Sequence, residues 1–483
     1  MLGQKFGEWE WVLAVADLEG PAAGLIREHA AADTRIRLVT GAGVAGLEAA
    51  YRESTAEWVT FLGDQDVLVP KALGYVEAKL RTAERLDILY TDEDVLLADG
   101  ERVERYLKPD WSPERLRHQP YVGDLVVLRR SAVESAGGIV VGAGDAARYD
   151  LILRVSEVAR DVHHMQRLLY SKRDRQRVLT EADAAAVSRH LDRLGIAGTA
   201  TVGEVEGTIS VNREPDLTTT VSVVIPTIGT SGDIWGERRT MVTELVRHLV
   251  ENDSHPHVEY VIVYDPPTPP EVLDDLRALD GQGGASIRLV LFEQPFSFSA
   301  KCNVGAYHAT GDVVIFLNDD MEPRGKDTIG QLIAPLREPG VGMTGAKLYF
   351  EDGRIQHGGV IYGNGHINDR HRLADPDSTG ERGELFINRE QSALTGACVA
   401  VRRELFEEVG GFSELLPVNF NDVDFSLKVR RAGYRLLWLH GVRLWHFESV
   451  SRDTTVHAWE VELMIRRWGD FHVVPERYTT GIR

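Results

Sequence analysis

The sequence predicts an α/β protein of two tandem lobes, each built on a mostly parallel, Rossmann-like sheet, the first lobe incomplete and degenerate. Three observations carry this expectation. Short apolar, β-branched runs alternate with amphipathic helical segments. The alternation occurs twice, in halves whose motifs recur in one order. Polar clusters end several apolar runs, and open α/β sheets bind ligands at the carboxyl ends of their strands.

The repeat is direct. In the first half EWVTFLGDQD is followed by YVGDLVVLRRSAVESAGG and YDLILRV, and in the second DVVIFLNDDM is followed by LTGACVAVRRELFEEVGG and VDFSLKV. Arg129-Arg130 matches Arg402-Arg403, Gly137-Gly138 matches Gly410-Gly411, and Asp150 matches Asp424. Three matches in one order are more than chance similarity between apolar strands would give.

The first lobe, 1–171, opens on the strand WEWVLAVAD and continues through RLVTGAGVAGLEAAYREST, which holds Gly41-x-Gly43-x-x-Gly46 before a helix. That pattern is the dinucleotide fingerprint and keeps an NAD-dependent oxidoreductase as an alternative. It follows a second strand rather than a first, however, and its counterpart RLVLFEQPFSFSAKCNVGAYHAT has no such glycines. Residues 172–219 read as a helix and a polar connector. The second lobe, 220–450, begins at TTTVSVVIPT and runs through VEYVIVYD, IRLVLFE, a helix near SAKCNVGAYHAT and DVVIFLNDD. His357, His366 and His371 lie in a stretch rich in Gly, Asn and Asp, read as a mobile loop rather than a metal cluster. The tail, 451–483, contains HAWEVELMIRRWGDF, read as a helix packed on the second lobe in preference to a membrane contact through Trp459, Trp468 and Arg466-Arg467.

Bulk properties narrow the function. A length of 483 residues suggests about two to four domains. A hydrophobic content of 43% and a charged content of 27% are those of a globular chain. The net charge of −20, without a basic run among aromatics, argues against nucleic acid. Cys302 and Cys398 form no CxxC pair, so a disulfide framework and a cysteine zinc site are excluded and a reducing compartment is expected. No basic segment leads into an apolar run at the start, and no apolar stretch approaches the roughly 20 residues of a membrane span. A cytoplasmic location follows as an expectation.

The chemistry gathers in the second lobe. Asn318-Asp319-Asp320 ends an apolar strand, and paired carboxylates there call for a divalent cation or a proton. Asn421, Asp422 and Asp424 open an amphipathic helix, where one acid can serve as a cap. His446 follows the apolar run YRLLWLHGVRLW and could add nitrogen to a site made with Asp320.

With these motifs in place the chain resembles the family-2 glycosyltransferases of GT-A fold, in particular tandem-lobe bacterial surface-polysaccharide transferases. VSVVIPT, YVIVYD, PFSFSAKCNVGA, FLNDDMEP, GAKLYFEDGRIQHGGV, TGACVAVRRELFEEVGGF, FNDVDFSLKVRRAGYR and HFESVSR carry the resemblance in family order. DILYTDEDVLLADGERVERYLKPDWSPERLRHQPYVG looks like the companion lobe of such proteins. The resemblance implies an inverting, metal-dependent transfer from a nucleoside-diphosphate sugar, UDP or dTDP, to a hydroxyl of a glycan or lipid-linked glycan. It makes Asp422 the general base, and Asp320 and His446 the holders of Mn²⁺ or Mg²⁺. Pro226, Thr227, Asp265, Lys301, Asn303 and Asp319 would bind the nucleotide, and Gly396, Asn421 and Trp445 the acceptor. Peripheral contact with the inner face of the membrane would suit a lipid-linked acceptor. A catalytically silent nucleotide- or carbohydrate-binding protein is the other alternative.

The first lobe lacks this equipment in the sequence alignment. Gln65 falls opposite Asp320, Arg148 opposite Asp422, and a position near Ser171 opposite His446. The opening strand and helix of a complete lobe are missing, and Asp64, Asp66, Asp92 and Asp94 are expected to be surface acids.

Overall fold

A computed structural model describes residues 1–173, 178–363, 366–448, 455–469 and 476–479. Parts of three sequence expectations fall outside them: 174–177 of the connector, 449–452 of HFESVSR, and much of the 451–483 tail. The chain forms two compact units, Met1–Asn212 and Arg213–Tyr478. Among the described residues no helix is long and apolar enough to cross a membrane.

The first unit opens with β1 (Trp11–Val15), α1 (Pro21–Ala32), β2 (Ile36–Thr40) and α2 (Gly43–Glu53). β1 and β2 pair in parallel as a sheet of their own. The glycine pattern is explained by packing. A Cβ on Gly41 would lie 2.6 Å from Gly46 Cα, and one on Gly46 would lie 3.0 Å from Ala14 Cβ, so these glycines let α2 close onto β1. The unit continues with β3 (Trp58–Val59), β4 (Val67–Leu68), α3 (Ala72–Leu80), β5 (Ile88–Leu96), β6 (Arg102–Tyr106) and α4 (Pro113–His118). Then come β7 (Val126–Arg129), α5 (Arg130–Ser135), α6 (Ala147–Val158) and β8 (Val162–Lys172). These strands form a sheet ordered β3-β7-β5-β8-β4, with β6 on β5. α7 (Glu181–Arg193), held at its start by a Thr180–Asp183 capping box, and the paired β9 (Gly198–Val202) and β10 (Ile209–Arg213) follow.

The second unit runs β11 (Val221–Thr227), the hairpin β12 (Ser231–Ile234) and β13 (Glu237–Thr240), α8 (Met241–Asn252), β14 (Val258–Tyr264), α9 (Pro270–Ala278), β15 (Ser286–Leu291), α10 (Phe298–His308), β16 (Val313–Leu317) and β17 (Met321–Pro323). It continues with α11 (Thr328–Ile333), β18 (Val341–Tyr349), β19 (Ile355–His357), the pair β20 (Val360–Gly363) and β21 (His366–Asp369), and β22 (Arg389–Glu390). β23 (Cys398–Arg402), α12 (Arg403–Glu408), α13 (Asn421–Arg431), β24 (Arg435–His446) and α14 (Ala458–Trp468) complete it. The sheet is ordered β15-β14-β11-β16-β23-β18-β24-β17, with β19 on β18 and β22 on β24. β11 is buried along its length. Val223 and Ile225 enter the core beneath α8, and Val224 enters the other face with Cys302, Phe316 and Phe406. That is why VSVVIPT reads as an unbroken apolar run.

The two sheets follow one plan. β3, β7, β5, β8 and β4 take the order of β16, β23, β18, β24 and β17, and β6 sits on β5 as β19 sits on β18. β1 and β2 correspond to β14 and β15, which reach the rest of their sheet through β11. Among the described residues the first unit has no strand in that place.

Three sequence expectations need correction. β4 pairs Val67 with Ser171, as β17 pairs Met321 with His446. Asp66, not Gln65, therefore stands where Asp320 stands, because the first unit's loop is one residue longer. Asp92 and Asp94 are buried rather than on the surface. Asp92 faces His164 Nε2 at 3.0 Å, and the neighbouring Glu93 binds Lys108 and Lys172, each at 2.8 Å. The expected mobile loop of the second unit contains the β20–β21 pair, whose Val360, Tyr362 and Ile367 pack with Val423 and Met464. His357 there is buried against Asp369 at 2.5 Å, and His371 meets Glu384 at 2.7 Å. The His366 side chain lies outside the described residues.

Candidate functional site

Four strand ends and one helix start in the second unit bring together most of the residues the sequence singles out. β11 ends in Pro226-Thr227. Thr227 Oγ1 donates to Asp319 Oδ2 at 2.5 Å and accepts from Gly229 N at 2.8 Å. β14 ends just before Asp265, whose Oδ2 accepts from Lys301 Nζ at 3.0 Å. Lys301 is buried in α10 and also donates to Thr227 O at 2.8 Å, tying the two strand ends together. Asp265 Oδ1 is buried and has no partner among the described residues, so it is ready to accept from a ligand N–H.

β16 ends in Asn318-Asp319-Asp320. Burial, and then the adjacent Asp320 charge, push Asp319 up to about 7 against the opposing pull of Thr227 and Lys301. Two acids so placed need a proton or a cation between them at neutral pH. His446, at the end of β24, brings Nε2 to 3.2 Å from Asp320 Oδ1. Its other nitrogen is committed: Nδ1 donates to Gln356 Oε1 at 2.6 Å, while Gln356 Nε2 donates to His446 O at 3.3 Å. With Nδ1 as the donor, a neutral imidazole has Nε2 as its acceptor, which lies 3.3 Å from Asn318 Nδ2 and faces a carboxylate oxygen. An imidazole nitrogen and a carboxylate oxygen at that separation fit a divalent cation. Among the described residues no group of three or more His, Cys, Asp or Glu could hold a metal ion. Asp320 and His446 would therefore leave coordination positions to water and to a ligand's phosphates, as Mg²⁺ sites commonly do.

The helix that carries the third motif starts abruptly. Phe420 has φ 58, a left-handed conformation that costs a bulky residue about 1–2 kcal/mol, and α13 begins at the next residue. Asp422, in its first turn, accepts from Gly396 N at 3.1 Å through Oδ2 and from Val423 N at 2.8 Å through Oδ1. The positive end of the helix favours a carboxylate there. Gly396 leaves room for Asp422, since a Cβ there would stand 3.3 Å from Asp422 Cβ and press on it. Asp424 does different work. It is fully buried and binds Arg467 Nε and Trp468 Nε1 of α14, each at 2.8 Å, so it docks the tail helix.

Several expected residues are engaged elsewhere. Asn303 uses both ends of its amide on the backbone of Phe412, at 2.9 and 3.0 Å, and also reaches Glu414. Two helical residues span about 200° around the axis, so Asn303 faces away from the side that Lys301 presents to Thr227. Asn421 is buried and donates to Val418 O at 2.9 Å, shaping the loop before α13. Trp445 neighbours His446 on β24 and so points to the other side of the strand, where it meets Trp235 at 5.1 Å between ring centroids. Sequence reasoning missed Gln356 and Asn318 as partners of His446. Asn318 could have been found as the residue preceding the acid pair, whereas nothing local marks Gln356.

Residues 222–410 match the family model described as Glycosyl transferase family 2. The chain is 32% identical over 468 residues to the O-antigen biosynthesis protein RfbC of Myxococcus xanthus, a match covering 93% of this chain and 36% of that protein. It is 31% identical over 492 residues to the uncharacterized protein y4gI of Sinorhizobium fredii (strain NBRC 101917 / NGR234), covering 96% of this chain and 53% of that one. The chain thus spans about a third to a half of the length of these relatives. Among solved structures it aligns with GalNAc-T7 bound to UDP, GalNAc and Mn²⁺, at a TM-score of 0.40 and 17% identity, over 51% of this chain and 46% of that one.

Proposed function

The second unit of this chain belongs to glycosyl transferase family 2, and on that premise we propose that it moves a sugar, with inversion, from a nucleoside-diphosphate sugar to a hydroxyl of a glycan or lipid-linked glycan during cell-surface polysaccharide synthesis. It would act in the cytoplasm or at the inner face of the membrane, with UDP or dTDP as the donor nucleotide. The observation that carries the reading is the convergence of Asp320, His446, Asp319 and the Asp265–Lys301 pair on neighbouring strand ends, where an α/β sheet takes its ligand.

Asp265 Oδ1 would accept from the nucleobase, with Pro226 and Thr227 lining the base pocket, a role supported by its buried, unpartnered oxygen and by the Lys301 hydrogen bond that holds its other oxygen. Asp320 and His446 would hold Mn²⁺ or Mg²⁺, which when bound neutralises charge on the leaving diphosphate. Asp422 takes the proton from the acceptor hydroxyl. Its carboxylate is held by two backbone N–H groups, so it meets the hydroxyl without losing side-chain freedom at that moment. Gly396 and Asn421 shape the acceptor side by leaving room for Asp422 and by fixing the start of α13. Gln356 keeps His446 in the tautomer this arrangement needs.

The test is thermal stabilisation by UDP, dTDP and NAD, each with and without Mn²⁺, on the wild type and on Asp320→Ala. Stabilisation by one nucleoside diphosphate that needs Mn²⁺ and vanishes in the variant is the expected result. A shift with NAD alone, equal in both proteins, would overturn the reading.

A further inference from the structure

Among the described residues a group of three cations in the second unit forms no ion pair with an acid. Lys347 on β18 is 2% exposed and sits opposite Arg443 of β24. Its ammonium makes one hydrogen bond, 3.3 Å to Leu385 O, and lies 5.3 Å from the ring centroids of Tyr349 and Phe386. Arg324, just after β17, lays its guanidinium over Tyr349 at 4.2 Å and over Trp445 at 4.6 Å. The Arg324 N–H donates to Arg443 O at 2.8 Å, and the Arg443 side chain donates to His440 O at 3.3 Å. Among the described residues none of these three cations forms an ion pair, in a chain of net charge −20. Lys347 is the buried member, and buried charges are ordinarily paired, while Arg324 and Arg443 are exposed beside it. Burial, and then Arg443, Arg389 and Arg324, bring Lys347 down to about 8.

We propose that Lys347, Arg324 and Arg443 form a phosphoryl-binding site that holds a phosphate or diphosphate group of the acceptor. The proposal rests on the glycosyl-transfer reading for the word acceptor, and on the cation geometry for the site. Arg443 lies three residues back along β24 from His446, about 10 Å of strand, so this anion is separate from the donor diphosphate expected at Asp320. Arg324 lies over two rings, and a guanidinium's fork of N–H groups matches phosphate oxygens in pairs. The corresponding pair in the first unit is Asp92 opposite Leu168, so the feature belongs to the second unit alone.

The probes are inorganic diphosphate and farnesyl diphosphate, titrated calorimetrically in the presence of chelator. The proteins are the wild type, Asp320→Asn, Lys347→Met, and the double variant Arg324→Gln with Arg443→Gln, whose changes fall on exposed side chains. Diphosphate should bind the wild type and Asp320→Asn within about twofold of each other. It should bind the double variant at least about tenfold more weakly, with Lys347→Met in the same direction. Tighter binding of farnesyl diphosphate would mark a lipid-linked source, and equal binding a free phosphoryl ligand; both keep the site. Absence of binding, equal affinity in the double variant, or loss confined to Asp320→Asn would overturn it. Failure of the glycosyl-transfer reading would show separately, as absent Mn²⁺-dependent stabilisation of the wild type by any nucleoside diphosphate, with the diphosphate titration unaffected.

Discussion

The two units share a sheet order and part ways at the residues that would do chemistry. Where Asp422 accepts from Gly396 N in the second unit, Arg148 begins the matching helix of the first, and its guanidinium donates to Phe61 O and Asp124 O at 2.8 and 2.9 Å. Where His446 meets Asp320, the first unit pairs Ser171 with Val67 beside Asp66. Yet Asp150 and Asp424 are both buried, and each anchors a following capped helix: Asp150 through Arg189 of α7 at 3.1 Å, Asp424 through Arg467 of α14. The difference teaches that the helix anchor belongs to the fold, while the carboxylate two residues before it is present in the second unit alone of the two matched helices. It also extends the repeat, since α7, read from sequence as a connector, is the counterpart of the tail helix.

The largest effect expected from breaking the comparison is at Asp422. Asp422→Asn should lower transfer by about 10²–10⁴-fold and leave Mn²⁺-dependent nucleotide stabilisation in place, whereas Arg148→Asp should leave the rate of sugar transfer, followed by nucleotide release, as it was. Next comes the strand-end acid. Asp320→Ala should abolish the Mn²⁺-dependent thermal shift, while Asp66→Ala at the equivalent place should preserve it; loss in both would mean that both units bind donor.

The anchors should behave alike. Removing one partner of a buried ion pair costs about 3 kcal/mol or more, so Asp150→Ala and Asp424→Ala should each lower the urea midpoint of their own unit by a comparable amount. A fall in transfer rate but not in stability for Asp424→Ala would make that anchor part of the reaction. The smallest effect is one of pH and belongs to the first unit. Burial raises the Glu93 carboxyl, but Lys108 and Lys172 overcome it and hold the group at about 2. A depressed folded value means stability present above the unfolded value near 4.5 and lost as pH falls towards 2, on the order of 3 kcal/mol in all. Urea midpoints between pH 5 and about 2 should show this fall in the wild type and a flatter profile in Glu93→Gln.

The sequence by itself determined the repeat, the α/β layering and the positions of Asp319, Asp320, Asp422 and His446. Apolar runs and the residues that end them are local properties, and a strand end or a helix start can be read within ten residues. The tertiary structure decided the rest. Asp66 replaced Gln65 opposite Asp320 only through strand register, because a one-residue insertion in a loop leaves the flanking pattern unchanged. Gln356 reaches His446 across β18, β19 and β24, so no local signal announces it. Asn303 meets the Phe412 backbone, a contact set by its face of α10 and invisible in the local sequence. Lys347, Arg324 and Arg443 are scattered in the chain and meet only because β17 and β18 flank β24. Residue identity limits what chemistry is available, and the pairing of distant strands decides which residues can perform it together.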